Sequence, residues 1–89
     1  MELTSTEVKA DLTNRLKRIE GQVRGVEKMV EEERDCTAIL QQMTAIRSAV
    51  HQASLVLARA YATRCLQDPA PGDTEMMIDQ LMATLRKLE

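Results

Sequence analysis

The chain has 89 residues, with 12 Lys and Arg against 14 Asp and Glu, one His, three Gly, two Pro, two Cys and a single aromatic residue, a tyrosine. That length supports one domain with a thin core, so self-association is expected, and the scarcity of Gly, Pro and aromatic side chains excludes an ordinary sheet protein in favour of an all-α one. The net charge of −2 excludes a uniformly basic nucleic-acid binder but leaves room for a polarised one.

In chain order, Thr4 followed by Glu7 fits a capping box, and Leu12, Leu16, Ile19, Val23, Val26 and Val30 then recur at helical spacing. This predicts a first helix over about residues 5–32. Six basic residues face three acidic ones between Lys9 and Lys28, and the acidic run Glu31, Glu32, Glu33 follows. Gly21 and Gly25 each cost a helix about 1 kcal/mol relative to Ala, which points to close approach of another helix at those positions. The periodicity resets at Glu33-Arg34-Asp35, with Asp35 as the expected N-cap of a second helix over about residues 36–66. That helix carries Ile39, Met43, Ile46, Val50, Ala53, Leu57 and Ala60 on one stripe and Leu40, Leu55, Val56 and Leu66 on a second surface, so it must pack on more than one neighbour. Residues 67–72, with two prolines and a glycine, read as a linker. A third helix over about residues 74–88, capped by Asp73 or Thr74, would dock through Met77, Leu81, Leu85 and Leu88.

No stretch approaches the roughly 18 apolar residues of a membrane span, and the N-terminal run lacks the basic-then-apolar order of a signal peptide. A cytoplasmic protein is expected. Two cysteines 29 positions apart in a reducing compartment are not a permanent disulfide, and the absence of a CxxC pair, a catalytic base or a cofactor loop speaks against an enzyme.

If Cys36 and Cys65 end one continuous helix, its rise of about 1.5 Å per residue sets them roughly 43 Å apart. They cannot meet within a subunit. An antiparallel partner would set Cys36 of one chain beside Cys65 of the other and create two equivalent sites about a two-fold axis. Cys36 would lie at the positive end of the helix dipole, and Arg64, next to Cys65, would help the second sulfur if its side chain turns that way. Two buried cysteines serving as small apolar residues fit the spacing equally well. His51 lies midway between the cysteines and cannot complete a site at either helix end. Tyr61 precedes Cys65 by four residues and so shares its face, either as packing or as a wall of a thiol pocket. The methionines, Met43, Met76 and Met77 among them, follow core spacing rather than a copper-binding pattern.

The stretch from Arg15 to Val30, reading Arg-Leu-Lys-Arg-Ile-Glu-Gly-Gln-Val-Arg-Gly-Val-Glu-Lys-Met-Val, then Cys36, Ile39 to Arg47, Ala53 and Cys65, resembles the family of the copper-sensitive operon repressor, the nickel/cobalt repressor and the formaldehyde repressor. The resemblance covers roughly residues 10–66. It implies a three-helix subunit, an antiparallel helical-bundle dimer, a flat dimer-of-dimers tetramer, and repression by binding operator DNA that effector binding loosens. Arg15 then becomes the first candidate DNA contact, with Lys17 and Arg18 beside it and Arg47 and Arg59 extending the surface. Such residues would meet phosphates.

Copper sensors of this family place a histidine four residues before the second cysteine, where this chain has Tyr61. A protonated phenol is a poor Cu(I) ligand, so the three-coordinate site is incomplete. Nickel/cobalt members need further histidines, and formaldehyde members share a proline after the initiator methionine where this chain has Glu2. Two thiols without the histidine resemble the persulfide-sensing CstR-like branch. On that reading the effector is a persulfide or polysulfide, Cys36 attacks, Cys65 resolves, Tyr61 shapes the site, and no cofactor is needed. The alternative is Cu(I) held by the two thiolates of Cys36 and Cys65.

Overall fold

The computed structural model describes residues 5–67 and 73–87. They form three helices and, among the described residues, no strand: α1 (Thr6–Glu31), α2 (Cys36–Gln67) and α3 (Asp73–Lys87). The expected linker lies outside the described residues apart from Gln67, which closes α2.

The helix ends follow from side-chain and backbone chemistry. Ser5, with extended backbone, caps α1, and its Oγ accepts the Val8 N–H at 3.4 Å. The capping box expected at Thr4 and Glu7 is therefore replaced by a cap one residue later. Thr4 itself lies outside the described residues, and Ser is the better N-cap of the two. At the other end, the Glu33 N–H donates to the Val30 carbonyl at 3.1 Å and the Arg34 N–H to the Met29 carbonyl at 2.9 Å. This is a Schellman motif, with Glu33 in the left-handed region at φ 54°. Asp35 then starts α2 as the sequence leads one to expect. Its Oδ2 accepts the Ala38 N–H at 3.3 Å, and its carbonyl accepts from the Ile39 N–H at 3.1 Å.

α1 lies along α2, and α3 packs on α2 and not on α1. The result is a thin slab of 56 × 27 × 12 Å, about one helix thick. Among the described residues, Ile19 of α1 and Ala53 of α2 are the buried apolar ones and mark the seam of the two long helices. Leu12 and Val26 of the α1 stripe are half-buried, whereas Leu16, Val23 and Val30 are exposed. Of the side chains expected to dock α3, Leu81 is half-buried. Leu88 and the side chains at positions 77 and 85 lie outside the described residues. Gly21 and Gly25 differ from expectation, since a Cβ at either would meet nothing within 4 Å. No described helix of the same subunit approaches them.

Candidate functional site

Cys36 is the first residue of α2, is exposed and carries a free thiol. Position 65 lies two residues before the last residue of the same unbroken helix. The rise between them is therefore roughly 43 Å, and 29 residues at 3.6 per turn bring the backbone back to within about 20° of the same face. One subunit thus presents both cysteine positions on one side of one helix, at opposite ends. No group of three or more His, Cys, Asp or Glu side chains suited to a metal ion occurs among the described residues.

Tyr61 is half-buried. It lines a cavity of about 320 Å³ between Leu57, Ala58 and Tyr61 on one side and Gln80, Leu81 and Thr84 on the other. Helical spacing sets Tyr61 on the face of Cys65, but its place in a cavity shared with α3 is not legible in the sequence, because it depends on how a helix beyond the linker returns. His51 is half-buried in the middle of α2, far from both ends.

The cations expected to meet DNA lie on two helices, α1 and α2. Arg15 is engaged within α1, its Nε donating to Asp11 Oδ1 at 3.0 Å, with the two side chains 38% and 48% exposed. This i,i+4 pair could have been read from the sequence and was missed. Lys17 and Arg18 are exposed on the same helix. Arg47 and Arg59 are exposed on α2, but their separation of 12 positions turns them about 120° apart. Arg47 shares the side of α2 that carries Cys36, Leu40 and Met43. The α1–α2 corner holds a second small charge network, in which Glu32 reaches Lys28 at 3.8 Å and Arg34 at 3.7 Å.

No described helix is long and apolar enough to cross a membrane. The sequence pattern described as metal-sensitive transcriptional repressor matches residues 8–87. CsoR of Bacillus subtilis, a copper-sensing transcriptional repressor, is 43% identical over 84 residues, covering 93% of this chain and 83% of that protein. Among solved structures, the copper-sensing repressor CsoR with Cu(I) from Geobacillus thermodenitrificans superposes with a TM-score of 0.79 at 35% identity, covering 98% of this chain and 92% of that one. The nickel-responsive transcriptional regulator InrS superposes with a TM-score of 0.74 at 31% identity, covering all of this chain and 98% of that one. These relatives are regulators rather than enzymes, and their helical fold is the one described above. The chain belongs to the metal-sensitive transcriptional repressor family.

Proposed function

We propose that this protein is an operator-binding repressor whose effector is sensed between subunits by Cys36 of one chain and Cys65 of another, with Cu(I) as the effector. The observation that carries the site is the placement of two cysteine positions on one side of one continuous helix, roughly 43 Å apart. Only a second, antiparallel copy brings them together. The preference for copper over persulfide comes from the relatives, since a copper sensor is 43% identical to this chain and a Cu(I)-bound repressor shares its fold.

The donor set fits copper in one form only. Two thiolates suit the soft Cu(I) ion in two-coordination, and Tyr61 offers no third soft ligand. When bound, the metal supplies a bond between two chains. This chain's residues present the sulfurs: Asp35 starts the helix that holds Cys36, and the length of α2 sets the separation of the two sites. Arg15, Lys17, Arg18, Arg47 and Arg59 are the proposed cations for DNA, with Arg15 released from Asp11 when a phosphate takes its place.

Persulfide sensing remains the second reading because of Tyr61, which lines the cavity against α3. In that chemistry one cysteine thiolate attacks the sulfane sulfur of an organic persulfide, forms a cysteine persulfide and expels the organic thiol. The second thiolate then attacks the cysteine persulfide, forms the interchain disulfide and releases hydrosulfide. A gel-shift on the protein's own promoter region, with Cu(I) and polysulfide compared as releasing agents and intact masses taken afterwards, separates the two. Release at about one Cu(I) per subunit without covalent change supports copper. Release only by polysulfide, with chains linked through sulfur, overturns copper in favour of persulfide. Cys36→Ala and Cys65→Ala should each bind operator normally and lose the response, and a normal response in either variant removes that cysteine from the site.

A further inference from the structure

The charges of α1 are sorted around its axis. Ile19 marks the side packed on α2, and each residue advances the helix by about 100°. On that count Lys17, Arg24 and Lys28 fall within about 40° of the line opposite Ile19, which faces away from α2. The rest of that outward strip is small or neutral and hydrogen-bonding: Thr6, Ala10, Asn14 and Gly21. All of these residues are exposed. The five carboxylates of the helix, Glu7, Asp11, Glu20, Glu27 and Glu31, lie about 60° or more from the line. Six cations against five carboxylates give α1 a charge of +1, so three cations on one strip leave the remainder at −2.

Helix stability does not account for this sorting. Arg24 and Lys28 form a like-charge i,i+4 pair, which weakens a helix standing alone, and packing makes no demand on a face turned away from α2. An anionic partner does account for it. From Thr6 to Lys28 the strip is roughly 33 Å long, about one turn of B-DNA, and its side chains are those that meet phosphates, Lys and Arg with Thr and Asn between them. A Cβ at Gly21 would meet nothing within 4 Å, so the ridge is low between Lys17 and Arg24. We propose that the outward strip of α1 lies against the sugar–phosphate backbone of the operator, with Lys17, Arg24 and Lys28 on phosphates and Gly21 admitting the duplex between them. The inference rests on operator binding in the functional reading above and extends its cations to Arg24 and Lys28. Arg15 lies about 140° from the centre of the strip, paired with Asp11, and is not part of it. Lys28 stands at the corner with α2, where Glu32 reaches it at 3.8 Å and reaches Arg34, two residues before Cys36, at 3.7 Å. A phosphate that takes Lys28 leaves Glu32 with Arg34.

The test is the salt dependence of binding, read by anisotropy of a labelled duplex from the protein's own promoter region and of a random duplex. Arg24→Gln and Lys28→Gln in the full chain should each weaken both duplexes several-fold at low salt and lower the slope of log affinity against log salt by about one or more. Arg24→Lys, which keeps the charge, should restore the slope. Lys9→Gln removes a cation about 100° from the strip and should leave the slope unchanged. Gly21→Leu should raise the urea midpoint, because it takes a glycine out of a helix, and yet lower the affinity. Wild-type slopes in both Arg24→Gln and Lys28→Gln overturn the proposal, as does an equal loss in Lys9→Gln, which would make net charge the only determinant. Unchanged affinity in Gly21→Leu overturns the seating at Gly21. A wild-type chain that prefers its promoter duplex to the random one while both variants bind normally keeps the operator reading and removes the strip alone. A wild-type chain that binds neither duplex removes both.

Discussion

At the scale of single residues, Glu33 occupies a left-handed backbone conformation, φ 54°, for which glycine is the least strained choice. Side chains with a Cβ are disfavoured there by about 1–2 kcal/mol, and the added freedom of a glycine in the unfolded chain offsets part of that gain. Glu33→Gly should therefore stabilise the protein by about 0.5–1 kcal/mol, seen as a higher urea midpoint at unchanged slope. No sequence signal marked this turn, because Glu is a poor residue for it and the usual glycine is missing. Asp11 is a different case. Its ion pair with Arg15 is more than a third exposed on both sides, so it contributes at most about 0.5 kcal/mol to stability, and Asp11→Asn should leave the urea midpoint nearly unchanged. The same change removes the negative charge beside Arg15 and weakens the hold on it, since an amide oxygen is a poorer acceptor than a carboxylate. Operator affinity should rise a few-fold at low salt, measured by anisotropy of a labelled duplex, and an unchanged affinity would take Arg15 out of the DNA contact.

At the scale of helices, most of what the sequence predicts rests on apolar periodicity and on caps. Three segments with helical spacing become three helices, and Asp35 caps α2 because a carboxylate oxygen can satisfy an N–H that the first turn leaves free. Removing that acceptor by Asp35→Ala, or the Ser5 hydroxyl by Ser5→Ala, should each cost about 1 kcal/mol in thermal or urea unfolding. Gly21 and Gly25 mark the limit of reading a single helix. The helical cost of glycine is real, but the close neighbour inferred from it is absent among the described residues of the subunit. Gly21→Ala and Gly25→Ala should each gain about 0.8–1 kcal/mol in unfolding experiments, since a Cβ has open space at both positions. If either substitution also weakens operator binding or assembly, another chain or the duplex approaches α1 there.

At the scale of the molecule, a slab 12 Å thin, in which Ile19 and Ala53 are the buried apolar residues among those described and Leu16, Val30, Leu40, Met43, Val50 and Leu57 are exposed, is expected to depend on other copies for its core. Its unfolding midpoint should climb with protein concentration, as mass action requires of a chain whose fold is completed by its copies, and a concentration-independent midpoint across a hundred-fold range would contradict this. By itself the sequence determined the helical class, the order of the three helices and the impossibility of a Cys36–Cys65 site within one chain, because apolar spacing, caps and the rise of a helix are local properties; the repressor family was legible separately, through the residues from Arg15 to Cys65 that resemble it. Only the tertiary structure decided that Tyr61 lines a cavity against α3 and that no described helix of the subunit comes near the two α1 glycines. Those depend on where chain segments distant in sequence come to lie and on which rotamers their surroundings favour. The two cysteines show the division most clearly: residue count alone sets their separation, while the use to which the intervening face is put depends on the helix that packs over its far half.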